Sequence, residues 1–171
     1  MQTLERSITI DAPLETVFAF FTDIRNHQRL SPPHTQEELV DPGDIPLKLG
    51  TIVRLRARYG GLRWSLASRI MAFEPPGQPH PGSAYFRDAQ VHGPFGFWQH
   101  DHWMQALPEG GTSLTDRFQF SSPLWPLGLI VEHLWLRGVL TDLMQHLQDT
   151  AKHILEKEDI YTINSNSSGI H

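Results

Sequence analysis

The chain has 171 residues, 39% of them hydrophobic and 19% charged, which fits one soluble globular domain large enough for a sizeable core. A net charge of −5 argues against a nucleic-acid-binding surface, and the absence of cysteine excludes disulfides, thiolate zinc sites and cysteine nucleophiles. The opening "MQTLERSITI" lacks a basic-then-apolar signal pattern and no stretch reaches ~18 uninterrupted apolar residues, so a cytoplasmic protein without a transmembrane helix is expected. Within that opening, "TLERSITI" alternates. Leu4, Arg6, Ile8 and Ile10 fall on one side, as in a strand with one wet face. In "DAPLETVFAFFTD", Asp11 is a candidate helix cap, Pro13 suits the first turn and Glu15 suits the positive end of the dipole. Val17, Phe20, Phe21 and Ile24 supply the apolar stripe. A second short helix is expected over "IRNHQRL", stopped by Pro32 and Pro33.

"QEELV" reads as a short strand, and "GTIVRLRARYGGLRWSLASRIMAFEPP" as a hairpin turning at Gly60-Gly61. Its limbs send Val53, Leu55, Ala57, Tyr59, Leu62, Trp64, Leu66 and Ile70 to one face. Arg54, Arg56, Arg58, Arg63 and Arg69 form a stripe on the other. That stripe reads either as a solvated outer face or as a patch for an acidic partner or membrane phosphates. "GSAYFRDAQ", "PFGFWQHDHWMQAL" and "TSLTDRFQFSSP" give three further strands, the last two joined by "PEGG". After Pro126 the period changes. Leu136, Leu140, Leu143, Leu147 and Ile154 cluster on one side of a wheel, with Arg137, Thr141, Gln145, Gln148 and Lys152 opposite. This predicts one amphipathic helix from Leu129, of about 28 residues and 42 Å. The domain is expected to span residues 1–156, with 157–171 a disordered tail. A curved antiparallel sheet must bury its apolar face on another element, and the long helix has the stripe to serve.

The order and motifs resemble the START-like, or SRPBCC, superfamily. "SITIDAPLETVFAFFTDIRN" and "NHQRLSPP" are similar to its opening strand and first helices. "FWQHDHW", "GGTSLTDRFQFSSP" and "PLGLIVEHLWLRGVL" resemble the later strands and grip helix of a polyketide cyclase/dehydrase-like bacterial branch. The resemblance implies an α+β helix-grip fold. A curved antiparallel sheet of about six or seven strands wraps a long C-terminal helix, with two short helices after the first strand. It also implies a mostly apolar tunnel for a hydrophobic small molecule such as a lipid, polyketide or isoprenoid-like compound. Expected lining residues are Phe20, Trp64, Leu66, Trp98, His100, His102, Asp116 and Phe118, joined by Glu132, Leu136, Leu140 and Leu143 of the helix.

Trp98, His100 and His102 share one strand face by alternation, as do Leu114, Asp116, Phe118 and Phe120. If Leu107–Gly111 turns the hairpin, His102 lies across from Asp116 and His100 across from Phe118. A one-residue slip would instead turn the histidines outward. Phe95, Phe97 and Trp103 leave the other face not clearly polar, and packing against a second copy, a homodimer, would account for that.

Three uses of the histidines compete. A metal site with Asp116 or Glu132 as third ligand is feasible, but the spacing does not single one out, so no metal is expected. His102 or His100 with Asp116 as catalytic acid–base groups would suit a cyclase or dehydratase. Structural or ligand-orienting hydrogen bonds are the third use. Glu132 lies near the apolar centre of the helix and calls for a partner or the tunnel mouth. His146 and His153 lie on the helix flank, toward solvent. There is no G-x-S-x-G and no phosphate loop, so no nucleotide or other cofactor is expected. A carrier of a hydrophobic molecule leads; a cyclase/dehydratase is the alternative. A third option is an interaction module whose aromatic residues fill the tunnel.

Overall fold

The computed structural model describes residues 1–59, 62–77, 79–122 and 135–167. Strand β1 (Gln2–Ile10) leads into α1 (Leu14–Thr22), a 3-10 turn (Ile24–Asn26), α2 (His27–Leu30) and a second 3-10 turn (Pro33–Thr35). Six strands follow: β2 (Glu38–Asp41), β3 (Ile52–Tyr59), β4 (Leu62–Glu74), β5 (Ser83–His92), β6 (Phe97–Ala106) and β7 (Thr112–Ser121). Helix α3 (Arg137–Ser167) closes the fold and runs past residue 156, where the sequence places the end of the domain.

The seven strands form one antiparallel sheet in the order β1-β7-β6-β5-β4-β3-β2. Strands β2 to β7 follow one another as a meander, while β1 pairs with β7 at the far edge. The α1–α2 segment must therefore cross from one edge of the sheet to the other. Phe18 does part of this work, packing against Phe73 of β4 at 5.4 Å and Phe86 of β5 at 6.2 Å. This is the helix-grip architecture that the resemblance implies.

The hairpin register is the one that buries the histidines. His102 pairs with Asp116 and His100 with Phe118. The turn closes through Leu107 and Gly111, whose backbones bond at 2.8 Å, with Gly110 at φ +100°, where a side chain would be strained. Burial along β7 alternates cleanly, with Leu114, Asp116, Phe118 and Phe120 inside.

Three local expectations are corrected. Asp11 is not the cap of α1: Pro13 occupies that position, and the backbone N–H of Asp11 donates to Glu156 at 3.0 Å. Gln148 does not sit on a solvated face; it is 1% exposed. Its amide nitrogen donates to Asp116 at 2.6 Å and to the Arg6 carbonyl at 3.0 Å, while Arg6 donates to its oxygen at 3.0 Å. A polar residue is drawn inward because a buried carboxylate and a half-buried carbonyl both need a donor. Phe95, placed on the outer face by alternation, stacks on Trp98 at 4.8 Å on the inner side, because it precedes β6 and is free of the pleat.

The outer face has its own partners. Trp103 stacks on Tyr85 at 5.4 Å and carries the Arg117 guanidinium 4.6 Å from its ring. Arg54 and Arg56 of the arginine stripe pair with Asp41 and Glu38 of β2, at 2.6 and 3.9 Å. Exposed pairs of this kind contribute little, so they engage two of the five arginines without stabilising the fold much.

Removing the amide of Gln148 takes the donor from one oxygen of Asp116 and from the Arg6 carbonyl. Gln148→Leu is expected to lose about 1–3 kcal/mol in chemical denaturation, whereas Gln145→Leu on the exposed flank changes stability by less than about 0.5 kcal/mol. Equal effects of the two substitutions would contradict this placement.

Candidate functional site

Among the described residues, the buried apolar side chains form two clusters. One is built around Ile10, Val17, Phe18, Phe86 and Leu114, the other around Leu4, Trp98, Phe118, Phe120, Leu136 and Leu140. A cavity of about 190 Å³ opens where the sheet, the α1–α2 segment and α3 meet. The protein's own aromatic rings narrow this chamber without filling it.

The residues named from the sequence fall in three places. Phe20, Trp64, Leu66, Trp98, His100, His102, Phe118, Leu136, Leu140 and Leu143 all face the cavity. Asp116 stands behind this wall rather than on it, and Glu132 with its neighbour His133 lies outside the described residues. His146 and His153 are exposed on α3.

The polar part of the wall comes from strand pairing. Alternation along β6 sets His100 and His102 on the inner face, and the antiparallel register lays Phe86, His102, Asp116 and Arg6 in one row across four strands. In the next row Asp88 of β5 lies opposite His100. Asp116 is 4% exposed, and its Oδ1 sits 3.2 Å from Nε2 of His100 and 2.6 Å from Nδ1 of His102. The first contact is a hydrogen bond. The second is close, but it lies off the ring's N–H direction, so Nδ1 of His102 has charge contact without a formed hydrogen bond. Gln148 takes the other carboxylate oxygen.

Burial opposes the charge on Asp116, but the two histidines on its oxygen outweigh it and hold the carboxyl well below the usual range. Burial, and then the neighbouring His102, push His100 below the ordinary imidazole value, against the pull of Asp116 and Asp88. The rings are fixed by their neighbours. His102 stacks on Phe86 at 4.0 Å and 18°, His100 meets the Phe118 ring at 4.3 Å edge-on, and the two imidazoles are 3.7 Å apart. Because Asp116 occupies one nitrogen of each ring, Nδ1 of His100 and Nε2 of His102 are left for other partners.

Five polar residues of the chamber escaped the sequence reading: Asn26, His27, Glu37, Ser68 and Asp88. Two of them had a signal: alternation in "GSAYFRDAQ" puts Asp88 on the same face as Ala84 and Phe86, both buried, and alternation along β4 puts Ser68 between Leu66 and Ile70 on the inward face. His27 and Glu37 come together from separate segments, with Nδ1 2.6 Å from the carboxylate. Burial works against the charge on His27, but Glu37, helped by Asp88, outweighs it and raises the imidazole above its ordinary value. The Ser68 hydroxyl is buried on the cavity wall and has no hydrogen-bond partner among the described residues.

A family profile described as polyketide cyclase / dehydrase and lipid transport matches residues 1–152. Comparison with curated proteins finds no match. Among solved structures, a START superfamily protein from Mycobacterium smegmatis aligns with a TM-score of 0.66 at 13% identity, over 91% of this chain and 97% of its own. Norcoclaurine synthase from Thalictrum flavum aligns with a TM-score of 0.65 at 11% identity, over 92% and 96%. The Zhui aromatase/cyclase from Streptomyces sp. R1128 aligns with a TM-score of 0.59 at 17% identity, over 90% and 95%. At these identities the likeness is one of fold. With the profile spanning nearly the whole domain, the chain belongs to the polyketide cyclase/dehydrase and lipid transport family.

Proposed function

We propose that the protein binds a small hydrophobic molecule bearing one hydrogen-bonding group, with its apolar body against Trp98, Phe118 and Leu140 and its polar end at His100 and His102. The carrying observation is the histidine pair, oriented from behind by Asp116, set into a wall that is mostly apolar. Apolar burial supplies affinity and the few polar groups fix orientation. The unpartnered Ser68 hydroxyl offers a further handle. The volume bounds the ligand: about 190 Å³ exceeds the ~150 Å³ engineered cavity that holds benzene. It falls short of the ~300–1,000 Å³ typical for drug-sized molecules. A compound of one or two rings fits.

Proton transfer in a cyclase or dehydratase reaction is the second reading. It is favoured by the two ring nitrogens that Asp116 leaves free beside the cavity, since a base must reach substrate while its other nitrogen is held. In that reading His100 and His102 touch substrate, and Asp116 positions them.

His27 and Glu37 join α2 to the segment before β2 and so close one side of the chamber. The folded imidazole sits above the ordinary value near ~6.5. The stabilisation from this pair is therefore complete below that value and is lost as pH rises through the folded pKa.

Two outcomes follow. Titration with 2-naphthol is expected to change the fluorescence of Trp64 and Trp98. Leu140→Trp, which fills the cavity, weakens binding at least about tenfold, or ~1.4 kcal/mol, while Arg69→Ala on the outer face leaves it unchanged; equal binding by both variants would remove the chamber as the site. If the acid–base reading holds, turnover of a polyketone chain is lost in His102→Ala and kept in Arg69→Ala. The second outcome concerns pH: denaturation midpoints of the parent protein fall as pH rises above neutrality, and His27→Gln flattens that slope. A slope that persists in His27→Gln assigns it to another group.

A further inference from the structure

The chamber's polar wall holds more chemistry than the orientation of one ligand needs. One ligand atom from each of Asp88, His100 and His102 lies within 4.8 Å of the other two. We propose that these three residues bind a divalent transition-metal ion, with its open coordination position facing the apolar cavity. This goes beyond the ligand-binding reading and does not rest on it, since an ion needs only the wall and an apolar ligand needs the space.

The geometry supports the site at two levels. His100 and His102 are two apart on β6 and so share a face, and Asp88 is paired with His100 across β5, its carboxylate 3.8 Å from Nδ1 of that ring. Behind them, Asp116 contacts Nε2 of His100 and Nδ1 of His102, which leaves the opposite nitrogens for an ion. A carboxylate on the far nitrogen is the usual support of a metal-binding histidine, because it fixes tautomer and orientation. Gln148 in turn fixes that carboxylate. The charges match as well: Asp88 and Asp116 bring two negative charges to a dication, while the nearby Glu37 is already engaged by His27.

Metal–ligand bonds of ~2.0–2.1 Å place tetrahedral ligands about 3.4 Å apart, so closure asks shifts of roughly 1 Å from the side chains. Two nitrogens and one oxygen suit Zn²⁺, Co²⁺ and their neighbours, and not Mg²⁺ or Ca²⁺, which prefer all-oxygen shells. Three protein ligands leave room for water or for an oxygen of a bound molecule.

The test is calorimetric titration of the metal-stripped full chain with ZnCl₂, paired with CoCl₂ titration read by visible absorption. The proposal expects one ion per chain, a tetrahedral Co²⁺ spectrum that Zn²⁺ displaces, and no binding of Mg²⁺. Binding is lost in His100→Ala and in Asp88→Asn, falls about 10–100-fold in Asp116→Asn, and survives in His80→Ala and His153→Ala at exposed positions. Asp88→Asn preserves shape, so it keeps the test valid if alanine at His100 disturbs the fold. No saturable binding, or one-ion binding that persists in both His100→Ala and Asp88→Asn, overturns the site. 2-Naphthol binding to the metal-stripped protein is scored separately: its loss with Zn²⁺ binding intact removes the ligand reading alone.

Discussion

A single buried carboxylate, that of Asp116, joins the sheet, the long helix and the cavity wall. It is held on one oxygen by the two imidazoles of β6 and on the other by Gln148 of α3, which also grips Arg6 of β1. An ionised carboxylate removed from water costs several kcal/mol unless it is paired and hydrogen-bonded. Every group that satisfies Asp116 is therefore also fixed by it. The histidines cannot swing freely into the chamber, and α3 cannot slide along the sheet without breaking the same network.

The chamber is a consequence of shape as much as of sequence. Seven strands curve around one helix, and large rings from α1, β4, β6 and β7 meet across the hollow rather than interlocking within it. Apolar surface drives closure. The few polar groups left on the wall then stand in a low-dielectric space, where each contact weighs more than it would in water. This is a setting for selective recognition of one functional group on an otherwise greasy molecule.

Much of this was legible in the residues because period-2 alternation is a strict rule. It put Trp98, His100 and His102 on one face of β6 and Asp116 with Phe118 on one face of β7, and the short Leu107–Gly111 turn then paired them on the same side of the sheet. The grip-helix stripe was readable for the same reason, as Leu136, Leu140 and Leu147 are buried. Gln148 was misplaced because a helical wheel scores polarity and cannot see that buried acceptors wait opposite. His27 and Glu37 were invisible, since nothing local announces that the first residue of a one-turn helix and a residue just before β2 will meet over a cavity. Asp88 was within reach of the alternation rule but looked like an ordinary strand-edge charge next to Arg87.

The orientation of the two rings is what gives the wall its chemistry, and it can be observed directly. Long-range ¹⁵N–¹H correlation spectra of the histidine side chains report which nitrogen carries the proton. The account predicts His100 as the Nε2–H tautomer and His102 with its Nδ1–H toward Asp116, both altered in Asp116→Asn. A spectrum showing His100 protonated on Nδ1, or both rings unaffected by Asp116→Asn, would contradict it.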